Sequence, residues 1–528
     1  MPKTVSDKLF LLIRSLTKQE KRYFKLYSSL HTVGEQNNYV LLFDAIDKQE
    51  AYDEGAIKKK FQKQAFVKQL HVTKNRLHEA ILNSLHAYHL DLTTDSKLKK
   101  QLVQANILFH KGLYDQCAEL LDRTIKTALE LEKFTSALDV YACRTKLFAI
   151  GYYDDIIETE LSKFYEEERE VISNISTETY YKFLQGKIGM LRIRSTRVRD
   201  KQLKEKYNAI ILDPFLTDAR KASTFYSKLL FYHLRSMYHY YAESDYKKVY
   251  EYDKKSFELL HALPAQIKDN PRLYLATLNN FMITCCNQGK HSETTELIQK
   301  MKTISADYSV KLDVMSEVNI FTQTSITELD ICLATCKFEN LKKLFTDIES
   351  GLVEFGAKIP NQNKRALLAI VSYLHFITGE YKTTLKWLNK MLEPGEFEMR
   401  EDLVSYSKIL LLLVHFELGN TDLIPYLTRS TYRFLKKRQR LYKVEEVIVN
   451  FLGKKLSSPH ERSSVIRDDF YTLQSQIKNV IKDPLEKRIL HYFDWISWLE
   501  SKITDRPFAD ILKEKMNKEK VSEPGSFS

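Results

Sequence analysis

Four polar residues near the start of the chain have side chains that often contact nucleic acid. These residues are Lys74, Asn75, Arg76 and His78. At the exposed start of a helix, such side chains commonly meet phosphate oxygens or base edges. Cations at a helix N-terminus also oppose the helix dipole, so their placement is more favourable when an anion lies nearby. The four residues are therefore candidate contacts to DNA or RNA.

The helix that would carry these residues is predicted to begin at Thr73. A threonine can cap a helix N-terminus, and apolar residues at helical spacing follow from Leu77 to Leu85. The basic run Lys58-Lys59-Lys60 and the apolar segment Phe66 to Leu70 precede it, so the layout resembles a helix-turn-helix. Residues 1–100 hold 18 Lys or Arg against 11 Asp or Glu. The competing interpretation is a helical cap that shields the first repeat and carries a solvated basic face.

A second group of candidate residues consists of aromatic and amide side chains that suit protein binding. Tyrosines crowd residues 226–252. Aromatic rings in a groove can hold a peptide or stack on a base. Because no helix buries every side, we expect some of these rings to line a groove while others pack in the core. The candidate groove residues are Tyr238, Tyr241, Asn279 and Tyr373.

Motifs for catalysis or metal binding are missing from the sequence. It contains no Gly-rich phosphate loop, no HExxH, no GxSxG and no clustered CxxC. Cys332 and Cys336 lie one helical turn apart, but no second Cys or His pair follows at zinc-finger spacing. Six cysteines are also too few for a secreted disulfide framework. We therefore expect a protein that is not an enzyme, with no cofactor, no metal and buried thiols.

The elements that must position the candidate residues come from an internal repeat. A small or permissive residue is followed two positions later by an aromatic residue or its substitute, between two amphipathic stretches. The seven instances begin at Gly112, Gly151, Ser244, Gly289, Cys336, Gly379 and Gly419. Five of the six steps between them are 39 to 47 residues long. The remaining step, of 93 residues, predicts an unmarked hairpin between Tyr180 and Asp213. Glycine accepts the left-handed backbone that ends a helix, so the pattern predicts helical hairpins.

This pattern resembles the tetratricopeptide repeat (TPR) family. The family's G-x-Y-x-x-A segment is matched best by Gly112 to Cys117 and by Gly379 to Thr384, and the resemblance covers roughly residues 97–430. Repeats of about 34 residues are usual in the family, and the longer steps found here also suit HEAT-like hairpins, but the G-x-Y turn favours the TPR-like interpretation. The resemblance implies a concave groove that is lined by first helices, binds a peptide or protein, and carries out no catalysis.

The C-terminal region is predicted to form a helical cap. Asp483 can cap a helix that has Pro484 at its first position and runs past Ser501. Its apolar stripe is Leu485, Ile489, Tyr492, Ile496 and Leu499, widened by Trp495 and Trp498. We expect this face to pack on the last repeats; the alternatives are a dimer seam or a partner site. From Asn517 onward the charged, Pro-Gly-Ser ending is typical of a disordered tail.

Taken together, these patterns predict an all-α fold: a superhelical solenoid of antiparallel, TPR-like helical hairpins with helical N- and C-terminal caps. The predicted regions are a basic module at 1–96, repeats at 97–440, a cap at 441–516 and a tail at 517–528. No apolar run reaches the roughly 20 residues of a membrane span, the longest being Ile409 to Phe416, so we expect a cytoplasmic protein. The sequence has no feature that determines the oligomeric state.

The predicted function is that of a non-enzymatic protein-protein interaction scaffold, which holds a protein or peptide partner in the concave face of the repeats. The net charge of +12 also permits contact with nucleic acid. The alternative is therefore a nucleic-acid-associated regulator, in which the basic N-terminal module contacts DNA or RNA and the repeats act as a sensor.

Overall fold

Helices are the only regular secondary structure in the described part of the chain. The structure, a computed structural model, describes residues 7–30, 38–90, 93–153, 158–192, 198, 201–339, 341–393, 400–455 and 463–522. The chain divides into two compact units, residues 1–172 and 173–528. The all-α fold class that the sequence predicts is confirmed.

The first unit begins with short helices and continues with longer antiparallel ones. Its helices are α1 Lys8–Ser15, α2 Lys18–Leu30, α3 Asn38–Asp47, α4 Glu54–Lys60, a 3-10 turn Ala65–Gln69, α5 Leu70–His89, α6 Thr94–His110, α7 Tyr114–Glu130, α8 Phe134–Ala149 and α9 Glu158–Arg192, which continues into the second unit. The first five helices enclose a small core that includes Phe24, Phe43 and Leu77. Helix α6 packs on α7, and α7 packs on α8.

The second unit is a row of helical hairpins. Its helices are α10 Lys201–Ile211, α11 Pro214–Thr217, a 3-10 turn Ala219–Lys221, α12 Phe225–Tyr238, a π-helical turn His239–Glu243, α13 Tyr246–His261, α14 Pro264–Asp269, α15 Pro271–Asn287, α16 His291–Asp307, α17 Val314–Thr335, α18 Leu341–Phe355, a 3-10 turn Gly356–Lys358, α19 Asn361–Ile377, α20 Tyr381–Leu392, α21 Glu401–Glu417, a 3-10 turn Thr421–Leu423, α22 Ile424–Lys437, α23 Lys443–Lys455, α24 Ser463–Val480, α25 Pro484–Lys487, a 3-10 turn Arg488–His491, α26 Trp495–Thr504 and α27 Phe508–Ser522.

These hairpins stack in chain order. Each first helix packs on its own second helix, as in α15 with α16 and α19 with α20. The first helices also pack on one another, α15 on α17, α17 on α19 and α19 on α21. This nearest-neighbour stacking is typical of helical repeat proteins. It brings the first helices side by side, so residues far apart in the sequence can share one surface.

The turns that separate the hairpin helices follow the predicted pattern. All seven turn residues have a positive φ, from 50° at Cys336 to 78° at Gly379. At Gly379 the backbone N–H of Glu380 donates to the His375 carbonyl at 2.9 Å, which satisfies a carbonyl at the end of α19. Ser244 and Cys336 adopt the same backbone conformation with a side chain, which is less favourable than for glycine. The turns are therefore local features that the sequence predicts correctly.

The predicted start of the fifth helix is wrong. Helix α5 begins at Leu70, after a 3-10 turn, and not at Thr73. The Thr73 hydroxyl lies inside the helix and donates to the Gln69 carbonyl at 3.2 Å. The reason is packing, since Leu70 is buried in the small N-terminal core and extends the helix by one turn. The four candidate nucleic-acid contacts therefore lie beyond the first turn of α5.

The predicted single C-terminal helix is also interrupted. Asp483 does cap a helix, accepting the Leu485 N–H at 2.9 Å, but that helix, α25, ends at Lys487. A new cap at Asp494 then starts α26, which ends at Thr504. The expected packing is confirmed, because Trp495 and Trp498 are buried and the Trp498 indole N–H donates to Glu417 of α21 at 3.1 Å. Helix α27 continues to Ser522, past the predicted start of the tail at Asn517, and residues 523–528 lie outside the described residues.

Candidate ligand-binding cavity

A cavity of about 720 Å³ lies within the second unit. Pockets of a few hundred to a thousand cubic ångströms are the size that holds a small ligand or a short peptide segment. The lining residues come from α12, α13, α15, α17, α19 and α21, together with the first residue of α16 and the segment Leu490 to Tyr492. The second helices α18, α20 and α22 contribute no described residue to the lining. The cavity is therefore formed by the adjacent inner faces of the hairpins.

Two carboxyl groups line this cavity without a cationic partner among the described residues. Asp253 on α13 is 4 % exposed and accepts a hydrogen bond from the Thr284 hydroxyl of α15. Burial raises the pKa of Asp253 to about 6, and the hydroxyls of Ser236 and Thr284 oppose this shift only in part. A buried carboxylate is stable when it is paired with a cation or well hydrogen-bonded. Asp253 is hydrogen-bonded but has no cationic partner among the described residues.

Asp330 on α17 has less support than Asp253. Neither a hydrogen bond nor an ion pair links its carboxyl group to another described residue, and burial alone raises its pKa to about 7. The pKa of the Cys286 thiol on α15 is raised to about 12. The main cause is burial of the thiol, and the second is the negative charge of Asp330. Asp253 and Asp330 thus approach the end of α15 from the two helices that flank it.

The positive charge of the cavity is already neutralised. Arg400 is the one Lys or Arg among the described lining residues. Its guanidinium donates to both carboxylate oxygens of Asp402, at 3.0 and 3.1 Å. The Tyr492 hydroxyl donates to the same carboxylate at 2.9 Å. A bidentate pair of this kind is strong and fixed in direction. Arg400 therefore does not compensate the two carboxyl groups on α13 and α17.

Some lining residues also carry polar atoms that are buried without a hydrogen bond to any described residue. They include the side-chain amide nitrogen of Asn287 and the hydroxyl of Tyr406. Tyr406 is 7 % exposed. A buried donor without a partner costs free energy, and buried polar groups are paired in most proteins. Both atoms are closed off from the open space of the cavity, so a ligand reaches them only when neighbouring side chains move.

The C-terminal segment closes one side of the cavity. Arg488 is 8 % exposed, and its guanidinium donates to the carbonyls of Val198 and Ala242, the latter at 3.0 Å. Further along, the backbone N–H of Asp494 donates to the Tyr373 hydroxyl at 3.1 Å. These bonds join residues that are far apart in the sequence. This segment therefore fixes one wall of the cavity, which remains partly open to solvent.

Two of the four predicted groove residues lie in this lining. Tyr241 and Tyr373 both contact the cavity. Tyr238 points elsewhere, with its hydroxyl 2.8 Å from the Asn208 side-chain oxygen and 2.9 Å from the Glu243 carboxylate. Asn279 is half-buried and outside the lining, and its neighbour Asn280 takes part instead, at 3.2 Å from His233. The structure thus brings together one tyrosine from the π-helical turn and one from α19.

The four candidate nucleic-acid contacts lie on α5 of the first unit. Lys74 is an internal residue, because its ammonium is 2.9 Å from the Glu54 carboxylate and 4.8 Å from the centre of the Tyr52 ring. Asn75 and Arg76 are exposed, and His78 is half-buried. Asn75 and Arg76 are thus the two of these four side chains that are fully open to solvent.

Sequence reasoning missed the charged part of the cavity. Asp253, Asp330 and Arg400 were not among the predicted site residues, and neither was Tyr406. One signal was present, since Asp330 stands within a run of mainly apolar residues, ICLAT following it directly. A carboxylate on the apolar side of a first helix indicates either a buried ion pair or a binding site, and the pattern does not distinguish them.

Comparison with known proteins adds no family to this description. Neither a protein-family model nor a curated protein matches the chain. In the part of the chain that the structure covers, no three His, Cys, Asp or Glu side chains cluster as metal ligands would. Among those same helices, none is both long and apolar enough to cross a membrane.

Proposed function

We propose that this chain is a non-enzymatic, TPR-like binding protein, which holds a short segment of a partner protein in the cavity of its second unit. The observation that carries this proposal is that the neighbouring first helices α15, α17, α19 and α21 form most of the cavity lining, which α12 and α13 complete. The TPR resemblance implies that surface as the binding face. The volume of about 720 Å³ favours a segment of a few residues over a long extended strand.

The chemistry of the lining supports a peptide ligand. Amide side chains of the lining, Asn280, Gln323 and Asn363, suit the carbonyl and N–H groups of a peptide backbone. Tyrosine rings such as Tyr241 and Tyr373 supply apolar contact area with few rotatable bonds. Mixed apolar and polar linings of this kind are typical of binding pockets.

Nucleophilic catalysis has little support in the same lining. Cys286 is the one cysteine among the described lining residues. Burial raises the pKa of its thiol to about 12, so the thiol stays protonated at neutral pH. The thiolate is the reactive form of cysteine. A binding role therefore accounts for the cavity better than an acyl-transfer role.

The proposal is tested by screening the full-length chain against a library of short blocked peptides and measuring the affinity of those selected by fluorescence anisotropy. Tyr241→Ala is expected to weaken binding about tenfold, because a buried aromatic contact is worth more than 1 kcal/mol. Tyr426→Ala is the matched control, since Tyr426 is 68 % exposed on α22, away from the cavity. Equal affinity of wild type, Tyr241→Ala and Tyr426→Ala would place the bound peptide elsewhere.

A second candidate function is that of a nucleic-acid-associated regulator. It is favoured by the exposure of Asn75 and Arg76 on α5, in a region with a net charge of +7 over residues 1–100. Arg76→Ala in the full-length chain is expected to lower the affinity for labelled duplex DNA or RNA. It is also expected to reduce the slope of log affinity against log salt concentration by about one. Lys300→Ala on the exposed side of α16 is the control. Salt-independent binding, or none at low salt, would rule out this function.

A further inference from the structure

We propose that the cavity selects a cationic side chain, lysine or arginine, in the bound segment, with Asp253 and Asp330 as its counter-charges. This inference rests on the proposed function, because it names the chemical class of ligand for the same cavity. It follows from the balance of charge in the lining, from the position of the two carboxyl groups, and from the aromatic rings in the same lining.

The balance of charge is negative. Asp253 and Asp330 have no cation within ion-pair distance among the described residues, whereas Arg400 is fully engaged by Asp402. The Nδ1 atom of the His233 ring lies 3.2 Å from the side-chain nitrogen of Asn280. A ligand that carries an acid would add a third uncompensated negative charge. A ligand that carries an ammonium or guanidinium group removes the imbalance.

The two carboxyl groups line the same cavity. Asp253 is hydrogen-bonded to Thr284, and Asp330 acts electrostatically on Cys286, two residues further along α15. Helices α13 and α17 both pack against α15. The carboxyl groups therefore lie on either side of the last turn of one helix. This placement suits an ammonium or guanidinium group, which has several N–H donors.

Aromatic rings lie in the same lining. Tyr240, Tyr241 and Tyr246 surround the π-helical turn between α12 and α13, near the start of the helix that carries Asp253. Aromatic faces attract cations, and this attraction is greater when the cation is removed from water. The methylene groups of lysine or arginine pack well against such rings. The rings thus complement the long stem as well as the charge.

The test uses isothermal titration calorimetry of the full-length chain near pH 8, where both carboxyl groups are ionised. The probes are four acetylated and amidated tripeptides, Ala-Xaa-Ala, in which Xaa is lysine, arginine, norleucine or glutamate. The fifth probe is butylammonium, which carries the charge without a peptide. The lysine and arginine peptides are expected to bind about tenfold more tightly than the norleucine peptide, and the glutamate peptide more weakly still.

The variants Asp330→Asn and Asp253→Asn are each expected to remove most of the preference for lysine over norleucine. Asp347→Asn is the matched control, because Asp347 is an exposed carboxylate on α18 outside the cavity. Helix content and thermal unfolding of each variant show whether it is folded. A variant that does not fold is replaced by Asp→Ser at the same position.

The outcomes separate the two proposals. If norleucine or glutamate peptides bind as well as the lysine peptide, or if the preference survives both Asp→Asn changes, the charge selection is wrong while peptide binding stands. If butylammonium binds in an Asp330-dependent way and no peptide binds, the cation site stands and the proposed peptide function is wrong. If no probe binds at about 1 mM, both are wrong.

Discussion

Two carboxyl groups, one in each unit, meet opposite surroundings. Glu54 in the first unit accepts from Lys58 at 2.8 Å and from Lys74 at 2.9 Å, and these two lysines lower its pKa to about 2. Asp330 in the second unit has no such partner, and burial raises its pKa to about 7. The comparison shows that lysines pair with Glu54 and stabilise the fold of the first unit, whereas Asp330 in the cavity lining has no cationic partner among the described residues. A cavity whose charge is left uncompensated is suited to a ligand that supplies the opposite charge.

The same comparison explains why Lys74 is a weak candidate for nucleic-acid contact. Its ammonium is 11 % exposed and pairs with Glu54, which is 19 % exposed. Because burial lowers the pKa of a lysine, the partners Tyr52 and Glu54 must more than offset that effect, and the net pKa of Lys74 is raised. A lysine held in this way would have to break an internal ion pair before it could reach a phosphate. Arg76, which is exposed, has no such cost.

The largest effect is expected from removing the charge of Glu54. Glu54→Gln leaves the half-buried Lys74 without its counter-ion, so we expect the first unit to lose about 2 kcal/mol of stability, less than for a fully buried pair. The measurement is hydrogen exchange of the α5 amides in the full-length chain, which reports local opening. Glu79→Gln, an exposed change on the same helix, is the control and should have no effect. Unchanged exchange in Glu54→Gln would mean that the ion pair adds nothing to the fold.

A smaller effect of opposite sign is expected for Asp330→Asn. The pKa of Asp330 is higher in the folded chain than its ordinary value of 3.8, so ionising it costs stability. This cost begins as the pH rises above about 4 and is complete above about 7. Asp330→Asn removes the cost, and we expect the second unit to gain about 1 to 2 kcal/mol at pH 8 and almost nothing at pH 4.

The pH dependence of this gain is measured by urea unfolding of wild type and Asp330→Asn at several pH values. The histidines His233, His291 and His491 also line the cavity, but they are present in both proteins and cancel in the difference. Cys286, the titratable neighbour on α15, keeps its proton over this range. Asp347→Asn should show no gain at any pH. A gain that did not grow with pH would show that Asp330 is not held in its neutral form.

The smallest effect is expected for Lys58→Ala. Lys58 also contacts Glu54, but its side chain is 55 % exposed, so solvent screens the pair. Exposed ion pairs of this kind contribute about 0.5 kcal/mol or less. Thermal unfolding should therefore barely distinguish Lys58→Ala from wild type, whereas Lys74→Ala should lower the melting temperature by several degrees. Equal effects of the two changes would show that burial does not separate these lysines.

Most of the hairpin architecture could be predicted because its signals are local. A glycine with positive φ, such as Gly379, ends a helix through bonds to residues within one turn. The same holds for the Asp483 cap, which accepts from a residue two positions away. The end of α25 could not be predicted this way. The periodic apolar stripe continues through Tyr492, yet the chain turns there, with Arg488 and the Asp494 N–H bonded to distant residues.

The candidate site was predicted only in part. Tyr241 lies in the π-helical turn that follows α12, and Tyr373 lies on α19. Both carry large rings near the end of a predicted first helix, and these properties are visible in the sequence. Tyr238 has the same residue type three positions away, but its hydroxyl meets Asn208 and Glu243 instead. Which of two nearby tyrosines faces the cavity depends on the π-helical turn at His239–Glu243, which changes the direction of the side chains. The spacing of the residues does not reveal that turn.

The sequence by itself determined that the chain is helical and where its hairpins turn, because helix periodicity and turn conformation depend on residues a few positions apart. It also showed that the chain has no Gly-rich phosphate loop, HExxH or GxSxG motif. Only the tertiary structure decided that Lys74 is an internal ion-pair partner and that Asp253 and Asp330 share a cavity without one. The physical reason is that the energy of a charge depends on its burial and on the distance to other charges. Both quantities are set by helices that pack together from distant parts of the chain.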